Sequence, residues 1–151
     1  MATGPTALVP VTGSTFDDEI VGLACDLMRL RKGKVRVLYV IQVPRSLPLD
    51  AEVPTESMRG ERVLQHMEQL AKERKCPAEG EILQARNLGP AVVREAEERE
   101  VDLLVAGMPY QENYGSPTLG DFIPFLLKHS PCQVLVVRDG QTPANRKGWW
   151  R

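Results

Sequence analysis

Short apolar runs alternate along this chain with longer segments in which apolar residues recur every three or four positions. Runs of the first kind predict buried strands, and recurrences of the second kind predict amphipathic helices. The predicted strands cover residues 7–11, 35–43, 81–85, 101–106 and 133–137. The predicted helices begin near Ser14, run through the apolar stripe from Val63 to Ala71, follow Gly89 and Pro90, and cover residues 121–129.

This order of elements predicts an α/β fold in three layers, in which a five-stranded parallel sheet has helices on both faces, as in Rossmann-like domains. Ligands of such sheets bind at the carboxyl ends of the strands, where the strand order reverses. With 151 residues, the chain has room for one such domain, which we assign to residues 1–138. Residues 139–151 carry no helical or strand period and are predicted to be a flexible basic tail.

Two local features refine these boundaries. Ser14 and Asp17 have the spacing of a capping box at the start of the first helix. Prolines at 44, 48 and 54 predict that residues 44–57 form no regular element.

Composition narrows the class of function. The formal net charge is −1, from 19 basic and 20 acidic side chains, so no overall positive field attracts nucleic acid. No apolar run approaches the length of about 20 residues that a membrane span needs. The N-terminus lacks the pattern of a secretion signal, and the three cysteines have no C-x-x-C spacing, so we expect a cytoplasmic protein.

The sequence offers little for catalysis. His66 and His129 are the two histidines, and neither lies in a recognised catalytic motif; His66 is expected to be solvated. No histidine, cysteine or carboxylate spacing is typical of a metal site. We therefore expect a protein that is not an enzyme.

Four segments, in their order and spacing, resemble the universal stress protein family. They are LVPVTGS at 8–14, LYVI at 38–41, DLLVAG at 102–107 and LKHSPCQVLVV at 127–137. The resemblance implies a parallel sheet of the adenine nucleotide alpha hydrolase-like type. It also implies a homodimer joined along the last strand, residues 133–137.

Members of this family divide into those that bind ATP and those that do not. The binding members carry G-x2-G-x9-G-[S/T] after the fourth strand and an aspartate at the end of the first. Here Gly107 and Gly120 keep the first and third glycine positions, whereas Tyr110 and Asp121 replace the second glycine and the hydroxyl residue. Thr12 stands where the resemblance implies the aspartate.

These departures predict a degenerate nucleotide site. The side chain of Tyr110 blocks the close backbone approach that glycine allows, and Asp121, as a helix N-cap, competes with phosphate for backbone N–H groups. Thr12 can still bond a ribose or a base, and Ser116 beside Gly115 could form a different anion nest. The candidate ligand residues are Pro10, Val11, Thr12, Val40, Ile41, Gly107, Tyr110, Gly115, Ser116, Gly120 and Asp121.

Three hypotheses for function follow. The first is a non-enzymatic stress-response or regulatory module that acts through dimerisation and an unknown protein partner. The second is a sensor of ATP or AMP, in which Thr12, Val40 and Ile41 line an adenine pocket. The third is a soluble regulator of a membrane transporter, because residues 120–128 resemble the last helix of universal-stress domains attached to transporters.

Overall fold

The computed structural model describes residues 4–109 and 121–140. Five strands and four helices alternate along the described chain, as the pattern of apolar residues predicts. Their bounds are β1 Thr6–Val11, α1 Phe16–Leu30, β2 Lys34–Gln42, α2 Pro54–Glu73, β3 Ala78–Ala85, α3 Leu88–Glu98, β4 Leu103–Met108, α4 Phe122–His129 and β5 Gln133–Arg138. All pairings are parallel, in the order β3-β2-β1-β4-β5. The predicted three-layer α/β fold is confirmed.

Two apolar clusters sandwich the sheet, because successive side chains of a strand point to opposite faces. On one face, Val9 and Val37 pack with α1 and α2, which contribute Met28 and Met67. On the other face, Leu8 and Leu38 pack with residues of α3 and α4. Helices therefore cover both faces of the sheet.

Strands β1 and β4 pair over a short distance only. Their register joins Ala7 to Leu103 and Leu8 to Leu104, although β1 continues to Val11. The carbonyl of Thr6 bonds toward β4, so by the two-residue period of a strand Pro10 also faces β4. Proline has no N–H to donate, so the two strands separate at their carboxyl ends.

The structure corrects the predicted bounds of three elements. Helix α2 begins at Pro54, within the segment that was expected to be irregular, because proline is well tolerated in the first turn of a helix. Strand β3 begins at Ala78, three residues earlier than expected. Strand β4 begins at Leu103, two residues later than expected, and runs through Gly107 to Met108, so Gly107 lies inside the strand and not in the loop that follows it.

Within the described ranges, no helix is both long and apolar enough to cross a membrane.

Candidate functional site: a cleft between the ends of β1 and β4

A cavity of about 460 Å³ opens where β1 and β4 separate. Twelve residues line it: Pro10, Val11, Thr12, Ser14, Thr15, Phe16, Asp17, Leu88, Gly107, Pro109, Phe122 and Asp139. Its volume lies within the range of about 300–1,000 Å³ that small-molecule sites occupy. The order of the sheet reverses between β1 and β4, which is the usual ligand position in open parallel sheets.

Apolar side chains from three helices form the walls of this cleft. Phe16 comes from the first turn of α1, Leu88 from the start of α3 and Phe122 from the start of α4. All three are half-buried, so each presents part of its surface to the cavity. Walls of this kind suit a flat aromatic ligand, because aromatic rings prefer stacked or edge-on apolar neighbours.

The carboxylate of Asp17 organises the loop at the end of β1. Its Oδ2 atom accepts backbone N–H bonds from Thr12 at 3.0 Å, Gly13 at 2.7 Å and Ser14 at 3.0 Å. Burial raises the pKa of the Asp17 carboxyl group above its ordinary value. The three backbone bonds and a bond from the Ser14 side chain lower this pKa, but by less than burial raises it. The loop amides that could bind an anion are therefore occupied by the protein's own carboxylate.

The predicted capping box is formed only in part. Asp17 accepts the N–H of Ser14, but the N-cap residue of α1 is Thr15, and no side-chain capping bond to the helix is made there. The carboxylate instead turns back toward the loop, where it also reaches the amides of Thr12 and Gly13.

The backbone of Gly13 is packed against α2. Its φ angle is +92°, and a Cβ atom at this residue would lie 2.7 Å from Nη2 of Arg59. The other terminal nitrogen of Arg59 donates to the hydroxyl of Tyr39 at 3.1 Å. The loop is thus held between Asp17 on one side and Arg59 on the other.

Gly107 allows α1 to pack closely on β4. It pairs with Val137 of β5, and a Cβ atom here would lie 2.7 Å from Cγ1 of Ile20 and 3.3 Å from Cε2 of Phe16. The lack of a side chain at Gly107 is therefore needed for helix–sheet packing, and because Gly107 also lines the cleft, its role in ligand binding stays a prediction.

A larger cavity, of about 550 Å³, lies between the end of β3 and α3. Two of its lining side chains already bind the preceding loop. Arg86 donates to the carbonyl oxygens of Val43, Pro44 and Leu47, and Gln84 donates to those of Leu49 and Ala51. This cavity also lies away from the reversal of strand order, so the smaller cleft is the stronger candidate.

Comparison with known proteins identifies the family. Residues 5–138 match the model of the universal stress protein family. The chain belongs to this family. No curated protein matches the chain.

Solved structures of universal stress proteins share the fold. One from Archaeoglobus fulgidus, in complex with dAMP, is 14% identical and covers 91% of this chain and 99% of its own, with a TM-score of 0.70. One in complex with cAMP is 20% identical and covers 91% and 98%, with a TM-score of 0.70. One from Arabidopsis thaliana with AMP bound is 18% identical and covers 93% and 97%, with a TM-score of 0.68.

In this universal stress protein, the predicted ligand residues fall into two groups. Pro10, Val11, Thr12 and Gly107 all line the cleft. Val40 and Ile41 do not: Ile41 is 2% exposed in the cluster beneath α1 and α2, and Val40 packs on the opposite cluster. As neighbours on β2 they must point to opposite faces of the sheet, so they cannot form one wall together.

Asp121 is the N-cap residue of α4, as predicted, but its carboxylate makes no side-chain capping bond. It is exposed and lines an adjoining cavity of about 350 Å³ with Asn87 and Phe125, which shares Leu88 and Phe122 with the cleft. The prediction that the Asp121 carboxylate accepts hydrogen bonds from the first backbone amides of α4 is therefore wrong. The predicted site residues Tyr110, Gly115, Ser116 and Gly120 lie outside the described part of the chain, as do residues 141–151 of the predicted tail.

Sequence analysis missed eight of the twelve lining residues: Ser14, Thr15, Phe16, Asp17, Leu88, Pro109, Phe122 and Asp139. Phe16 and Phe122 were interpreted as members of apolar stripes, Asp17 as a helix cap and Asp139 as the start of the tail. Asp139 instead continues from β5, and its N–H donates to the carbonyl of Met108 at 2.8 Å. The one available signal was position, since each of these residues follows or precedes a strand or helix end at the same edge of the sheet.

Neither histidine lines the cleft. His66 of α2 has its Nε2 atom 2.8 Å from Oδ2 of Asp18, and its side chain is 60% exposed, in line with the expectation of a solvated residue. Among the residues that the structure describes, no group of three or more His, Cys, Asp or Glu side chains is placed to hold a metal ion.

Proposed function

We propose that this universal stress protein is a non-enzymatic regulatory module. Its cleft binds a small heteroaromatic ligand of the adenine type, and the protein acts through dimerisation and contact with a protein partner. The observation that carries the proposal is the cavity between the separated ends of β1 and β4, with Phe16, Leu88 and Phe122 as its walls. The dAMP, cAMP and AMP complexes of proteins that share this fold support an adenine-type ligand.

The chemistry of the lining supports binding in preference to catalysis. The described lining includes the hydroxyl-bearing residues Thr12, Ser14 and Thr15, but no histidine, the commonest general base, and no cysteine or lysine. The carboxylate of Asp17 is engaged by three backbone amides.

Calorimetric titration with adenosine and AMP, together with an assay of phosphate release from ATP, tests this proposal. We expect binding without turnover. Phe122→Ala should weaken binding at least about tenfold, because it removes an aromatic wall. Leu127→Ala is the matched control on the same helix, since Leu127 is 62% exposed and lines no described cavity. ATP turnover that Phe122→Ala abolishes would instead establish an enzyme.

The free edge of β5 supports a homodimer. Within the described sheet, β5 pairs with β4 alone, and its four central residues Val134, Leu135, Val136 and Val137 are all half-buried and apolar. The opposite edge strand, β3, carries Glu79 and Glu81, both paired with Arg36. Charges discourage pairing along an edge, whereas an apolar edge is stabilised by a second copy.

A cytoplasmic location is part of the proposal and is supported by three cysteines that are all free thiols. Regulation of a transporter stays a prediction. Leu127, within the segment that resembles transporter-attached domains, is exposed and could contact such a partner. Recovery of a membrane permease with the wild-type protein, and its loss with Leu127→Asp, would support this alternative.

A further inference from the structure

The charged side chains in the described lining of the cleft are all acidic. Its described lining contains the carboxylates of Asp17 and Asp139 and no lysine, arginine or histidine. Residues 110–120, which join Pro109 of the cavity wall to the helix that bears Phe122, include Glu112 and no basic residue. The sequence of this connection therefore supplies no positive charge that would offset the two carboxylates.

The backbone also offers little to a phosphate group at the end of β1. Loop amides commonly bind anions, but those of Thr12, Gly13 and Ser14 already donate to a single oxygen of Asp17. A phosphate could replace that carboxylate only by leaving a buried charge without its partners, since Asp17 is 8% exposed. The loop is thus filled by an internal anion.

From these two observations we infer that the cleft selects an uncharged nucleoside over its phosphate monoester. In a nucleoside, a heteroaromatic base is joined to a sugar whose hydroxyl groups are all free. This inference rests on the proposed adenine-type ligand. The apolar walls contact the base. The carboxylate of Asp139 and the hydroxyls of Thr12 and Thr15 accept hydrogen bonds from ligand hydroxyl or amine groups. A phosphate monoester, which carries nearly two negative charges at neutral pH, is repelled by the same carboxylates.

Titration calorimetry with adenosine and AMP, at about 20 mM and about 300 mM sodium chloride, tests the inference. Adenosine should bind at least about tenfold more tightly than AMP at low salt, because charge repulsion is least screened there. Raising the salt concentration should strengthen AMP binding and leave adenosine binding nearly unchanged. An adenosine preference that is independent of salt would contradict an electrostatic origin.

Asp139→Asn should reduce the ratio of adenosine affinity to AMP affinity by about threefold or more, because it removes one negative charge from the cleft wall and keeps the size of the side chain. Glu61→Gln is the matched control: it changes the net charge equally, and Glu61 is an exposed residue of α2 that lines none of the described cavities. An equal effect of the two variants would overturn the inference.

The outcomes separate the inference from the proposed function. If AMP binds as tightly as adenosine or more tightly, the selectivity is wrong and the adenine-type site stands. If adenosine, guanosine, cytidine, uridine and their monophosphates all fail to bind at millimolar concentration, the ligand class itself is wrong and both proposals fall.

Discussion

Oδ2 of Asp17 lies 2.7 Å from the backbone nitrogen of Gly13, the shortest of three bonds by which a side chain of α1 holds the loop at the end of β1. Thr12, at the end of that strand, takes the place of the aspartate that the family resemblance implies. A carboxylate is nevertheless present at this loop, because Asp17 reaches back to the amide of Thr12. The loop is ordered by its own helix before any ligand binds.

Replacing Asp17 tests this internal clamp. Asp17→Ala should lower the free energy of unfolding by about 3 kcal/mol, because three backbone donors lose a charged acceptor. Asp17→Asn should cost about 1 kcal/mol, since an acceptor oxygen remains. Both values come from urea denaturation. The neighbouring Asp18→Ala, which removes only an exposed pair with His66, should cost about 0.5 kcal/mol, and equal costs at positions 17 and 18 would contradict the clamp.

Gly107→Ala should destabilise the protein by about 1–3 kcal/mol, because the new methyl group would lie 2.7 Å from Cγ1 of Ile20. Thermal unfolding of Gly107→Ala, Ile20→Ala and the double variant measures the interaction. The loss of stability in the double variant should be smaller than the sum of the losses in the two single variants, because Ile20→Ala removes the clashing atoms. Strictly additive costs would assign Gly107 a role other than packing.

The thiol of Cys25 links stability to alkaline pH. Burial, followed by the neighbouring Cys76, raises the pKa of Cys25 from 9.0 to about 12. Below pH 9 the thiol is protonated in both the folded and the unfolded state. As the pH rises from 9 toward 12, only the unfolded state loses the proton, so this contribution to stability is lost.

Urea midpoints at pH 8 and at about pH 10.5 measure this effect. The loss of stability between the two values should be smaller in Cys25→Ala than in the wild type, by about 2 kcal/mol. The exposed Leu30→Ala, on the same helix, should keep the wild-type pH dependence. An unchanged pH dependence in Cys25→Ala would show that Cys25 ionises normally in the folded state.

Val136→Lys should convert the proposed dimer into a monomer of 16.8 kDa. Val136 is the one residue among the four apolar positions of β5 that is not packed with either core cluster, so a charge here disturbs the free edge more than the fold. Sedimentation velocity measures the mass. Leu30→Lys, at a site that is 79% exposed, is the control and should stay dimeric. A Val136→Lys dimer would place the interface elsewhere.

Most of the fold follows from the sequence, because buried strands and amphipathic helices leave clear apolar periods. Residues 103–106 of β4 and the stripe of α1 are examples in which local pattern and tertiary packing agree. The beginning of α2 at Pro54 was missed because proline breaks the interior of a helix but is tolerated in its first turn. The pattern of apolar residues alone does not show which of these positions Pro54 occupies.

The site was less predictable than the fold. Pro10, Val11 and Thr12 were found because they end a strand at the expected edge of the sheet. Asp17 could not be assigned to the loop after β1 from the sequence, because a carboxylate three residues after a serine is also the pattern of a helix cap. Phe16 and Phe122 look like core residues in sequence, and only the separation of β1 from β4 shows that their rings also border a cavity.

A titration of isotopically labelled protein with adenosine, followed by NMR of the backbone amides, tests the central claim most directly. The largest shifts should appear at Thr12, Gly107, Phe122 and Asp139, which line the cleft between β1 and β4. Shifts centred on Gln84, Arg86 and Arg94 would place the ligand in the cavity beside β3. That result, or the absence of shifts at millimolar adenosine, would contradict the assignment of the cleft as the ligand site.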